Sequence, residues 1–218
     1  MTRQVVVVSA GLSVPSSTRL LADRLSAAVV EAFDARGEQV EVRLVELRDL
    51  AHQLTDHLLT GFAPLELDEV LDAVRRADAV VAVTPVFSAS YSGLFKTFFD
   101  VLEPGALEGT PVLVAATAGT ARHSLVLDHA LRPLFSYLHA VVLPTGVFAA
   151  TDDFGAGGDG GLGERIARAA AELAALVVGP AAGRGEQPAA VRPRRTTEQE
   201  FAEPTPFEEL LREASGGN

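Results

Sequence analysis

Residues Gln4 to Ser9 read Gln-Val-Val-Val-Val-Ser, and a run of that kind limits the fold sharply. Four consecutive valines suit a strand that is buried on both faces; an amphipathic strand would alternate instead. The next stretch, Ala10 to Thr18, is small and polar. From Thr18 to Ala35, Leu21, Leu25, Ala28, Val29 and Phe33 recur at helical spacing, and Arg36-Gly37 closes that helix. Val40 to Leu47 alternates, as a less buried strand does.

The same rhythm continues along the chain. The pattern predicts helices over Leu65–Arg76, Ser92–Leu102, His123–His139 and Gly163–Val178, and strands over Ala77–Thr84, Thr110–Thr117 and Ala140–Leu143. Strands that alternate with helices imply right-handed crossovers and a parallel sheet covered on both faces. The expected fold class is therefore α/β. Five strands favour a flavodoxin-like five-stranded parallel sheet over a six-stranded dinucleotide fold. Residues 1–179 are expected to form this domain. Residues 180–218 are rich in Pro, Gly and charge, and are expected to form an extended C-terminal arm. Within the arm, Thr205-Pro206-Phe207-Glu208 reads as the capped start of a short terminal helix.

Composition excludes several functions. The chain has no cysteine, which rules out disulfides, zinc thiolate sites, iron–sulfur clusters and thiol catalysis. A formal net charge of −11 opposes nucleic acid and anionic lipid, so a phosphate-bearing ligand must be held by a local site. No signal-peptide pattern and no run of about 20 apolar residues is present, so the expected compartment is the cytoplasm.

In a parallel sheet, ligands bind beyond the carboxyl ends of the strands. Three loops occupy such ends. The first, Ser9 to Thr18, carries Ser9, Ser13, Ser16, Ser17 and Thr18; these hydroxyls and the free N–H groups of the following helix could hold a phosphate monoester. Plain N-capping would need only one of them. No Gly-Lys-Ser/Thr follows, so this is not a nucleotide-hydrolysing P-loop. The second loop, Thr84 to Lys96, has Pro85 to stiffen it, and Phe87 and Tyr91 could face a flat heterocycle whose edge free N–H groups could reach. Core packing is the simpler expectation for Phe87 and Tyr91, and a surface ion pair for Lys96. In the third, Thr117-Ala118-Gly119-Thr120, the glycine allows close backbone approach to a ligand. His123, at a helix start, is expected to be structural.

Two patterns carry less. Gly155 to Gly160 matches G-x-G-x-x-G but follows Asp152-Asp153-Phe154 instead of a buried first strand, and reads as a flexible loop. The adjacent carboxylates of Asp152 and Asp153 are weak evidence for a cation. No metal site and no catalytic side chain is expected.

Taken together, the three loops resemble the NADPH-dependent FMN reductase family over roughly Arg3 to Val178. The most specific stretch is Thr84 to Asp100, TPVFSASYSGLFKTFFD. Within the first loop, Ser16 and Thr18 match positions of the family's phosphate loop, and Thr117 to Thr120 match its third flavin loop. The resemblance implies FMN and NADPH (or NADH) as cofactors and hydride transfer to the flavin, with no acid or base required of the protein. It implies FMN contacts at Ser9, Ser16, Ser17, Thr18, Pro85, Val86, Phe87, Ser88, Thr117, Ala118, Gly119 and Thr120. It also implies a homodimer or tetramer and a flavin-dependent monooxygenase as a possible partner. The stretch Ala116 to Ala140 further resembles actinobacterial members that accompany luciferase-like monooxygenases. Leu12-Ser13-Val14 lacks the arginine that many relatives carry in the phosphate loop, and Arg19 is a candidate substitute. A quinone or azo-dye reductase with tightly bound FMN, a one-electron carrier flavodoxin and a non-enzymatic flavin sensor are the alternatives on the same scaffold.

Overall fold

The computed structural model describes residues 2–154 and 161–179. The expected arm from Pro180 onward, its terminal helix and the Gly155–Gly160 loop lie outside the described residues. The elements run β1 (Arg3–Ser9), α1 (Ser17–Asp34), β2 (Val40–Glu46), α2 (Ala51–Thr60), α3 (Leu65–Arg76), β3 (Ala79–Phe87), β4 (Ser90–Tyr91), α4 (Gly93–Asp100), β5 (Pro111–Ala118), α5 (Arg132–Tyr137), β6 (Val141–Val142), β7 (Val147–Ala150) and α6 (Leu162–Val178).

The main sheet is parallel, in the order β2-β1-β3-β5-β6. This is the doubly wound order that the strand–helix rhythm predicts. Val5 and Val7 pack on one face with α1 and α6, while Val6 and Val8 pack on the other with the α2–α5 side. That two-sided burial is why β1 is an unbroken valine run instead of an alternating strand. On the second face Phe95, Phe99 and Phe135 stack closely, with ring centroids 4.7 Å apart for Phe95–Phe99 and 4.8 Å for Phe99–Phe135.

Four departures from the sequence reading are instructive. Seven strand segments occur where five were expected, because the fifth position is split. β6 pairs with the start of β5 (Pro111↔Val141) and β7 with its end (Ala115↔Val147), so the offset grows from 30 to 32 residues. Two extra residues are accommodated between Leu143 and Gly146, where Pro144 cannot donate to a ladder. The edge strand consequently reaches Ala150 rather than ending at Leu143. β4 is the other addition. It pairs antiparallel with the end of β3 through Val86↔Tyr91 and Phe87↔Ser90, leaving Ser88 and Ala89 as a two-residue turn.

The expected helix over His123–His139 is interrupted. A short 3₁₀ turn (Ala121–His123) and a π turn (Leu127–Leu131) precede α5, which has Pro133 in its first turn. Proline has no N–H to give to the carbonyl four residues back, and the wider turn accommodates that gap. Finally, the 3₁₀ turn Leu47–Leu50 and α2 form where the sequence pattern assigned no element. Within α2 only Leu54 is buried, so its apolar signal is faint.

Candidate functional site

The carboxyl ends of β1, β3, β5 and β7 converge on one cavity of about 360 Å³, within the range of about 300–1,000 Å³ usual for small-molecule sites. Its walls are Leu12, Ser13, Ser16, Ser17 and Thr18 from the first loop, Pro85, Val86 and Phe87 from the second, Thr117, Ala118 and Gly119 from the third, and Thr151. No charged side chain is among them.

The first wall is the entry to α1. Ser16 is the N-cap: its hydroxyl accepts the Arg19 N–H at 3.2 Å. The opening N–H groups of this 18-residue helix point out of its first turn, where the helix dipole favours an anion. Gly11 lies buried against that turn. A Cβ there would sit 2.2 Å from Ser16 Oγ and 3.2 Å from Thr18 Cβ, so only glycine lets the loop close this tightly. Thr18 is 2% exposed, and its hydroxyl lies 2.7 Å from that of Thr117, which is 3% exposed. A single buried bond therefore ties the first loop to the third.

The second wall rests on Thr84. Its buried hydroxyl donates to the Pro85 carbonyl at 2.9 Å and accepts the Ser92 N–H at 3.0 Å. Ser92 in turn caps α4 by accepting the Phe95 N–H at 3.2 Å. The hairpin is thus pinned at its base, while its tip turns through Ser88 (φ 48°) and Ala89 (φ 66°), both in the left-handed region. Phe87 does not join the core; it is 47% exposed and forms part of the cavity wall. Tyr91 does pack inward, with its ring centroid 5.8 Å from that of Phe95. Lys96 pairs with Asp100 on the surface of α4.

In the third wall, nothing lies within 4 Å of where a Gly119 Cβ would stand, which leaves the backbone approachable.

Nine of the twelve residues expected to contact FMN therefore meet at one cavity, Ser16, Ser17, Thr18, Pro85, Val86, Phe87, Thr117, Ala118 and Gly119, and Ser13 of the first loop joins them. Three do not line it. Ser9 is 1% exposed at the end of β1, with a hydroxyl that finds no partner. Ser88 belongs to the exposed turn, and Thr120 is exposed just beyond Gly119. His123 is also exposed and outside the wall. Thr151 was missed because the sequence reading ended the last strand at Leu143; the apolar run Val147-Phe148-Ala149-Ala150 was the available signal.

Arg19 does not reach into the cavity as a free cation. It pairs with Asp23 at 2.9 Å and Glu46 at 2.8 Å, and the hydrogen bond it donates to Asp23, with the charge of both carboxylates, holds its guanidinium pKa above its ordinary value. Asp153 accepts the Ala150 N–H at 2.8 Å and faces Arg165 at 3.7 Å, an arrangement that closes the turn after β7. Among the described residues no group of three or more His, Asp or Glu is placed to hold a metal ion, and no helix is long and apolar enough to cross a membrane.

A larger cavity, about 560 Å³, lies on the α2–α4 side, away from the strand ends. Asp72 and Arg75, which line it, pair with each other, and the hydrogen bond from Arg75 lowers the Asp72 carboxyl below its usual range.

The chain is 45% identical over 151 residues to an FMN reductase (NADPH) of Pseudomonas aeruginosa, covering 69% of this chain and 78% of that one. It is 43% identical over 151 residues to the NADH-dependent FMN reductase SfnF of Pseudomonas fluorescens, with the same 69% and 78% coverage. A solved oxidoreductase from Corynebacterium diphtheriae superposes with a TM-score of 0.79 at 55% identity, covering 81% of this chain and 97% of that one. Residues 3–155, which contain the three loops and Thr151, match the family described as NADPH-dependent FMN reductase, and the chain belongs to that family.

Proposed function

We propose that the protein oxidises NADPH or NADH and passes the electrons to FMN held in the cavity at the strand ends. The carrying observation is the convergence of hydroxyl groups, a free helix N-terminus and an open glycine backbone on one uncharged cavity in a chain of this family.

The residues fit the cofactor. A phosphate monoester suits the first turn of α1, where Ser17 and the opening N–H groups stand beside the Ser16 cap. The unpartnered buried hydroxyl of Ser9 is a further polar group behind this loop. Phe87 and Pro85 offer apolar wall to a flat ring, and the backbone at Ala118 and Gly119 offers N–H groups to its polar edge. FMN supplies the redox chemistry when bound, accepting two electrons from the reduced nicotinamide; the chain binds and orients it. The absence of a charged side chain from the cavity wall among the described residues supports FMN as a substrate that leaves after reduction. That behaviour suits delivery to a flavin-dependent monooxygenase in the cytoplasm, and the family's homodimer or tetramer is the assembly expected.

The test is NAD(P)H oxidation by purified protein with and without added FMN. Turnover that rises hyperbolically with free FMN supports the reading. A permanently yellow protein that turns over only with a quinone or dye supports the tightly bound alternative. No turnover under either condition refutes the enzyme.

A further inference from the structure

A chain of net charge −11 must still receive an anionic dinucleotide, and no charged side chain among the described residues lines the cavity to help. Several of the chain's arginines are already committed. Arg19 is held by Asp23 and Glu46, Arg165 by Asp153 and Arg132 by Asp128, while Arg24 lies over the Phe154 ring at 5.4 Å.

Arg122 differs. It follows Gly119 and Thr120 out of the cavity wall, is exposed on the 3₁₀ turn Ala121–His123, and has no carboxylate partner among the described residues. The neighbouring His123 is exposed on the same turn. Building on the reductase reading above, we infer that Arg122 is a specificity-determining residue that takes phosphate oxygens of the incoming NAD(P)H at the cavity rim. Guanidinium suits the task because its planar fork binds phosphate through two parallel N–H bonds. Two phosphates of the dinucleotide share this chemistry: the pyrophosphate, common to NADPH and NADH, and the 2′-phosphate, present only in NADPH.

The test compares wild-type protein, R122Q and R36Q. Arg36 is also exposed but follows α1 at the opposite end of the sheet, so R36Q controls for the loss of one positive charge. Calorimetric titrations use adenosine 2′,5′-bisphosphate, which carries a 2′-phosphate but no pyrophosphate, and ADP-ribose, which carries the reverse. Steady-state KM values for NADPH and NADH accompany them. R122Q should weaken binding and raise KM by about 10-fold with kcat retained, as expected for a lost charge-assisted bond. Loss confined to the bisphosphate and NADPH identifies the 2′-phosphate; loss confined to ADP-ribose, with both KM values raised, identifies the pyrophosphate. Unchanged binding in R122Q, an equal loss in R36Q, or no binding of either probe by wild-type protein overturns the proposal. An inactive wild type refutes the reductase reading alone, because the titrations do not depend on turnover.

Discussion

Replacing Ser88-Ala89 by Asn-Gly should stabilise the protein. The β3–β4 turn holds both residues at positive φ, 48° and 66°, and a two-residue hairpin of this kind is the arrangement that Asn-Gly serves best. A side chain with a Cβ pays about 1–2 kcal/mol to sit in the left-handed region, and glycine does not. Glycine returns roughly 0.5–1 kcal/mol through its freer unfolded chain, and asparagine tolerates the region better than serine. The net gain should be about 0.5–1.5 kcal/mol, or roughly 1–6 °C in melting temperature for a domain of this size. Thermal melts by circular dichroism measure it. Two further variants isolate the cause. A89V places a β-branched side chain at φ 66° and should lower the melting temperature. A27G, on the exposed face of α1, should also lower it, by about 1 kcal/mol of stability, because there glycine only weakens a helix. If the Asn-Gly variant shifts the melt downward as A27G does, the left-handed geometry of this turn is refuted.

Two other outcomes follow from the cavity. G11A should lower FMN affinity by at least about 10-fold, measured by flavin fluorescence quenching, because the new Cβ would force Ser16 away from its cap on α1. T18V and T117V should each destabilise the fold by about 1–2 kcal/mol by leaving a buried hydroxyl unpaired, and the double variant should cost less than the sum of the two; strict additivity in urea melts counts against the hydroxyl pair.

Much of the fold was legible because burial writes itself into residue type. The valine run of β1 and the helical spacing of Leu21, Leu25, Val29 and Phe33 each point to one element, and each residue is fully or nearly fully buried. The cavity was legible for a related reason: loops at strand ends that must approach a ligand concentrate small and hydroxyl residues. What escaped depended on partners far along the chain. The last strand was read as ending at Leu143, yet pairing with β5 resumes it beyond Pro144 and delivers Thr151. Phe87 looked like a core residue because an isolated phenylalanine carries no sign of the hairpin that turns it outward. Arg19 looked available until Glu46, brought alongside by the β1–β2 pairing, claimed it.

The bond between Thr18 and Thr117 joins residues 99 apart in sequence, across three parallel strands that must all be in register before the two hydroxyls can meet. Pairings of such high contact order form slowly, since the loop-closure entropy is lost before the contact repays it. The cavity therefore has no partly folded precursor made from one segment of chain, and loosening of any of β1, β3 or β5 dissolves it. Under that linkage, ligand held in the cavity stabilises the whole sheet instead of one loop: at a hundredfold excess over Kd the gain is about 2.7 kcal/mol. Flavin supply in the cell would then set the lifetime of the folded chain as well as its turnover.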